Sequence, residues 1–319
     1  MSEGLRTVNG NPAAPPYTGD AYKWDANVTF AQGVNGVIKG TKGKCYYVDE
    51  ENGADGNDGL TPQTAFASIL AATALSRDDY SADAEYHIFI APGSYDESDD
   101  LRLYGYGIHL HGLGNPGSDS GVNITDTNVT QGILLLAGAN CTIENIQFTS
   151  ATALPPLYAI ASDNTVITNC VFKGTSGTSV NAIQGEDVRG TEISYCTFGV
   201  SNGDYTNNLY MTGGADQYCI DSYFHHNRIS SNNTSATGIL IDNTCVAYGN
   251  VFDNNFINLT GTTPKGIDIN STGVNLITNN YVVITSAATP IESASSPTGI
   301  VGNHTMAGST TVDPNEAAD

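Results

Sequence analysis

The sequence is short of positive charge. Its 319 residues hold 11 Lys and Arg against 33 Asp and Glu, a formal net charge of −22. No basic stripe is on offer to phosphates, which excludes nucleic acid as a partner. The same imbalance repels anionic polysaccharide unless a cation intervenes, and it favours solubility. Long apolar runs are also missing, so no spanning helix and no membrane insertion are expected. The opening residues MSEGLRTVNGNPAAPP lack the charged-then-apolar order of a secretion signal, so assembly in a cytoplasm is expected. Tryptophan occurs once, at Trp24. Cysteine is limited to six residues. Cys170 and Cys196 fall in one slot of the repeat described next, and Cys141 and Cys245 in another. Stacked free thiols are the expectation, ahead of disulfides.

What the chain does have is a repeat between about residues 140 and 306. Its unit is a small residue, an apolar residue two later, Asn, Cys or Ile three later, and an apolar residue after one more gap. Cys141-Ile143-Ile146-Phe148, Thr165-Ile167-Cys170-Phe172 and Thr191-Ile193-Cys196-Phe198 are the clearest copies. Ser222-Phe224-Asn227-Ile229, Cys245-Ala247-Asn250-Phe252, Asn275-Ile277-Asn280-Val282 and Thr298-Ile300-Asn303-Thr305 follow. The spacing inside the unit is constant while the connections vary, as in a solenoid of fixed strands and variable loops. A second strand signal lies between copies, as at Ala182-Ile183, Gly238-Ile239 and Gly266-Ile267. Gly, Asn, Asp and Ser turns separate the two and leave no room for a long helix. The fold class predicted is all-β, a right-handed parallel β-helix.

Four segments are expected. Residues 1–44, with Asn11-Pro12-Ala13-Ala14-Pro15-Pro16 extended, form an N-terminal arm for assembly or anchoring. Residues 45–86 form a strand–turn–helix cap, its helix running from about Pro62 to Leu75 behind a Thr61 cap. Phe66, Ile69 and Leu70 supply that helix's apolar face. Residues 87–306 form the β-helix, and 307–319 an acidic tail.

The order Val48-Asp49, Gly53 to Pro62, Ala65 to Ile69 and Ile88 to Tyr95 resembles the entry segment of pectin-lyase-like right-handed β-helix proteins. That family includes polysaccharide lyases, polygalacturonases, phage tailspikes and non-catalytic virion or cell-surface proteins. The resemblance implies the fold across residues 45–306, and leaves activity open.

For catalysis the chain offers little. On the coils Lys173, Arg189, Arg228 and Lys265 are the available bases, and none is expected beside a carboxylate cluster. The polygalacturonase pattern is absent, with Glu186-Asp187 and His225-His226-Asn227 its nearest echoes. Counting along the repeat puts Asp163, Glu186, Asp242 and Asn270 in one column, with Asp163 and Glu186 one rung apart. A shared proton or cation there is weighed against plain turn bonding, and turns are preferred. Asp55, Asn57 and Asp58 suggest calcium, but Phe66 stands where an EF-hand needs Glu, so an Asx turn is preferred. No cofactor is expected, with Ca²⁺ the one cation weighed.

Outward positions are more informative. Tyr223, His225, Arg228, Tyr248 and Tyr281 read as an aromatic and cationic patch for a partner or a surface glycan. His225 and His226 are expected on opposite faces of a strand, a poor metal pair. Val166, Val171, Val246, Val251 and Leu276 should face water in an isolated solenoid, which implies cover by a second copy, and Trp24 in the arm implies a further contact. The function expected is therefore a non-catalytic phage virion protein: a head decoration, spike or tail adhesin. It would be a homotrimer on the virion surface, meeting other virion proteins through residues 1–44. A polysaccharide lyase or glycoside hydrolase on the same scaffold is the alternative.

Overall fold

The computed structural model describes residues 7–8, 11–12, 43–78, 84–97, 99–126, 132–150, 152–174, 181–199, 205–214, 217–271, 273–285, 289–294, 299–308 and 310–312. Trp24 lies outside them. The chain coils through three faces, each a sheet whose neighbouring strands come from successive coils. The first face has ten strands from Lys44–Val48 to Gly299–Val301. The second also has ten, from Gly93–Glu97 to Thr310–Val312, and the third eight, from Leu101–Tyr106 to Ile291–Ser293. Apart from the last pair on the second face, all strand pairs in these sheets are parallel. A fourth, three-stranded sheet of Val188–Arg189, Tyr218–Ile220 and Val246–Tyr248 is inserted before the first face.

Parallel register stacks like on like. On the second face Phe148, Phe172 and Phe198 pair rung to rung, their rings stacked at 5.3 and 4.9 Å. Ile229, Ile257 and Val282 continue that file. On the first face the file runs Ile143, Ile167, Ile193, Phe224, Phe252 and Ile277. All these side chains are buried.

The register corrects one copy of the repeat. Phe252 pairs with Phe224, so Asn250-Phe252-Asn255-Ile257 is the true successor of Ser222-Phe224-Asn227-Ile229. Ala247 sits instead in the fourth sheet opposite Cys219. Cys245 therefore does not share the Cys141 slot, whereas Cys170 and Cys196 do occupy one file. All six cysteines are free, and all but Cys45 are buried.

The slot of Cys170 and Cys196 passes to Asn227, Asn255, Asn280 and Asn303 in later coils. Each reaches back to a carbonyl of the preceding coil. The Cys170 and Cys196 thiols approach the Ile143 and Ile167 carbonyls at 3.7 Å, and the Asn227 amide donates to the Ile193 carbonyl at 2.9 Å. Asn255, Asn280 and Asn303 donate to Phe224, Phe252 and Ile277. Asn227, Asn255 and Asn280 also donate from Nδ2 to Oδ1 of the next Asn along the axis, at 2.9–3.0 Å. A buried amide is tolerable only when so satisfied.

The predicted helix divides in two. Thr61 forms its capping box, but over a 3₁₀ turn of Pro62–Thr64. The α-helix begins later and spans Ile69–Asp78. Between them Phe66 exchanges backbone bonds with Tyr47 and Asp49, which draws the chain out of helical geometry. Ile69 and Ala72 join the core at the first coil. Glu97, 3% exposed, accepts from the N–H groups of Ile69 and Leu70, a carboxylate at a helix N-terminus. Burial raises its pKa, against the pull of those two bonds.

Candidate functional site

The first and second faces meet at a left-handed corner one residue wide. In successive coils it is occupied by Asn145, Asn169, Tyr195, His226, Asn254 and Asn279, with φ between 51° and 59°. Asn adopts this region with least cost among residues bearing a side chain, because its short amide bonds locally. Tyr195 and His226 break the series with bulky rings. Their rings stack on each other at 5.0 Å. His226 also turns back to place its Nδ1 2.8 Å from Nδ1 of His225, so the two histidines meet rather than pointing apart as expected.

Around this corner lies an open depression of about 450 Å³, lined by Tyr195, His226, Asn227, Arg228, Asn254 and Phe256. On its second-face side Arg228, Phe256, Tyr281 and His304 form one outward file. Phe256 and Tyr281 stack at 5.5 Å, nearly parallel, and the Arg228 guanidinium lies 6.0 Å from the Phe256 ring. Arg228 has no carboxylate partner among the described residues. On the first-face side Tyr223 stacks on His225 at 3.9 Å and its hydroxyl donates to Asp253 at 3.1 Å. Burial, with the Asp253 carboxylate adding to it, raises the Tyr223 phenol pKa. His225 Nε2 lies 3.2 Å from Glu192, which also accepts from Ser194.

Of the predicted patch, Tyr223, His225, Arg228 and Tyr281 thus gather at this corner. Tyr248 does not: it belongs to the fourth sheet, opposite Ile220. Tyr195, His226 and Phe256 were the residues missed. The interrupted column of Asn145, Asn169, Asn254 and Asn279 is the signal that marks the first two.

The apolar outward residues divide likewise. Val166, Val251 and Leu276 share one file on the first face with Glu192 and Tyr223, and Leu276 is exposed. Val246 lies apart on the fourth sheet. Val171 is already buried, with Gly117 of the chain's own loop against it, so it needs no partner as cover.

The other acidic candidates make local bonds. Glu186 pairs with Ile160 and accepts from the Tyr158 hydroxyl at 2.6 Å, while Asp163 bridges to Arg189. Asp163 and Glu186 are therefore not neighbours on one column. Asp55 accepts from the N–H groups of Ala67 and Ser68, Asp58 from Leu60 N–H and Thr64 Oγ1, and Asn57 donates to Ala65. These are turn bonds. Two bases do meet carboxylates, contrary to expectation: Lys265 lies 2.8 Å from both Asp268 and Glu292, and Arg189 2.9 Å from Asp187.

A second cluster, unforeseen, stands on the first face nearer its start. His87 pairs with His109, and their rings stack at 4.6 Å. His87 Nδ1 lies 2.9 Å from His111 Nε2, and His111 Nδ1 lies 2.7 Å from Glu144. Burial, with neighbouring imidazoles adding to it, lowers the pKa of His87 and of His109 to about 4. Both are neutral near pH 7.

Residues 70–213, less than half of the chain, match the model of a family described as periplasmic copper-binding protein (NosD). No curated protein matches. Among solved structures the chain is similar to the Dettilon tailspike protein, at 18% identity and a TM-score of 0.49, over 84% of this chain and 48% of that one. The chain thus spans about half the length of the tailspike. It is also similar to a pectate lyase, at 14% identity and a TM-score of 0.45, over 88% and 82% of the two chains. A rhamnogalacturonan lyase aligns at 16% identity and a TM-score of 0.33, over 82% and 62%. In fold, the chain is an all-β parallel solenoid.

Proposed function

We propose that the protein is a non-catalytic surface protein that holds a glycan along the corner between its first and second faces. The observation that carries this reading is the pair Tyr195 and His226. Bulky residues in left-handed backbone carry a conformational cost that Asn avoids in the flanking coils, and such strain concentrates at functional positions. Their rings, with Phe256 and Tyr281, offer flat apolar faces to the C–H faces of sugars. Arg228, Asn254 and the exposed edge of His226 supply donors beside them. An open depression on a rod suits a chain-like ligand lying across several rungs better than an engulfed small molecule. The charge of −22 disfavours a polyanionic glycan.

The finer reading puts the protein on a bacteriophage surface, as a head decoration, spike or tail adhesin. It would assemble as a homotrimer through the Val166, Val251 and Leu276 file, with residues 1–44 meeting other virion proteins. That part rests on the family resemblance and on the outward file of half-buried Val166 and Val251 and exposed Leu276, and light scattering of the purified chain tests it.

The glycan reading is tested on an array of neutral and acidic oligosaccharides, with product analysis of the bound species. Retention of a neutral oligosaccharide that falls at least about tenfold in Tyr195→Asn and Phe256→Ala, with no shortened product, is expected. Binding unchanged in both variants would sink it. Chain cleavage abolished by Glu192→Gln would replace it with a lyase or hydrolase.

A further inference from the structure

We infer that Glu85, His87 and His109 form a binding site for one divalent transition-metal ion of the nitrogen-preferring kind, such as Zn²⁺, Ni²⁺ or Cu²⁺. One donor atom from each of the three lies within 4.8 Å of the others. Two imidazole nitrogens and one carboxylate oxygen make a donor set suited to these ions, whereas Ca²⁺ and Mg²⁺ require mostly oxygen. The site lies away from the aromatic corner, and nothing in it depends on glycan binding.

Proximity alone would not carry this. A second observation does: Nε2 of His87 and Nε2 of His109 are both buried, and neither has a hydrogen-bond partner. His87 is only 5% exposed. A buried imidazole nitrogen with nothing to bind is unfavourable, and such groups are rare unless an ion, water or chemistry accounts for them.

The hydrogen bonds behind His87 fix which nitrogen is bare. An ionised Glu144 can only accept, so His111 donates to it from Nδ1. In the tautomer in which His111 donates only from Nδ1, its Nε2 accepts from His87 Nδ1–H at 2.9 Å. His87 is left with its Nε2 lone pair facing outward from the relay. A carboxylate acting through an imidazole to orient a ligand is the arrangement that supports bound metals elsewhere in proteins.

Some contraction accompanies binding. Two donors at bond lengths of about 2.1 Å span at most about 4.2 Å across the ion. Glu85 stands just ahead of the strand Tyr86–Ile90 and is half-buried, as is His109. A swing of these two side chains closes the difference while His87 stays anchored. Three protein donors leave a fourth position for water.

The test uses the untagged full chain, freed of metal with a chelator and titrated calorimetrically with ZnCl₂, NiCl₂, CuCl₂ and CaCl₂ near neutral pH. A single equivalent of at least one of the first three ions should bind, and Ca²⁺ should not. Glu85→Gln and His109→Gln, each checked for an unchanged circular dichroism spectrum, should weaken binding at least about tenfold. Glu144→Ala removes a positioning residue. It should weaken binding by about tenfold and change the His87 tautomer seen by ¹⁵N NMR. Failure of all three transition ions to bind would overturn the site. So would equal binding by the Glu85 and His109 variants, or metal-induced shifts confined to His225, His226 and His304. Loss of glycan binding in the Tyr195 variant would leave the metal result untouched, so the two readings fail separately.

Discussion

The coils at Phe148, Phe172 and Phe198 and those at Phe224 and Phe252 solve one packing problem in opposite ways. The earlier coils put Ile on the first face (Ile143, Ile167, Ile193) and Phe on the second (Phe148, Phe172, Phe198). Coils at Phe224 and Phe252 reverse this, with Ile229 and Ile257 on the second face. Each of these coils therefore holds one aromatic ring and one isoleucine in the same two slots. The interior is conserved in volume and not in residue position, which is what close packing demands. At the same boundary the thiol slot changes to Asn. The thiols make long contacts to a carbonyl of the preceding coil, and the amides make full hydrogen bonds to the equivalent one.

The comparison breaks most sharply at that slot. Asn255→Ala strips partners from the Asn227 N–H and amide, from the Phe224 carbonyl and from Asn280 Oδ1. A loss of about 4 kcal/mol is expected in urea denaturation, whereas Cys170→Ala in the matching slot costs about 1 kcal/mol. Next in size is a pH effect confined to the first coils. His87 and His109 have folded pKa values near 4, below their ordinary 6.5. Between those values the unfolded chain takes up protons that the folded chain refuses. Stability therefore falls as pH drops from about 6.5 to 4. Glu85, Glu144 and His111 face these rings, and Glu144 partly counters the shift at His87. Denaturation midpoints across that window should show the decline in the native chain and less of it in His109→Gln.

Smaller still is the exchange of files. Phe224→Ile and Ile229→Phe alone should each cost about 1–2 kcal/mol, by a void and by overpacking. The double variant should recover to within about 1 kcal/mol of the native chain, since it recreates the arrangement of Ile193 and Phe198. A double variant as unstable as the two losses added would show that the files are not interchangeable. The least effect has the opposite sign. Tyr195→Asn should gain about 1 kcal/mol by relieving left-handed backbone at a side chain that is 56% exposed.

Much of this architecture is legible in the residues. The entry segment, the Phe148–Phe172–Phe198 file and the free thiols follow from a short pattern repeated at variable distance. The pattern fails at Cys245 because two registers satisfy it there. Cys245-Ala247-Asn250-Phe252 and Asn250-Phe252-Asn255-Ile257 both have small, apolar, Asn and apolar residues at the right offsets. Only the extra strand Val246–Tyr248 tells them apart, and nothing within one coil announces an insertion. The same slip moved Tyr248 and Val246 into files where they do not belong and left Phe256 out. The histidine stack is less accessible still. Placing His87 beside His109 requires the length of the first full coil, which lies outside the clear repeats. The helix start depends on Asp55 and Phe66, partners that local propensity does not weigh.

Thr310–Val312 returns antiparallel along His304–Ala307, after a turn at Gly308 with φ 62°. A rod whose rungs are all parallel would present, at its last rung, the same template that each rung offered the next. A reversed strand has the wrong polarity to extend that series, so the second face is sealed against end-to-end growth into fibres.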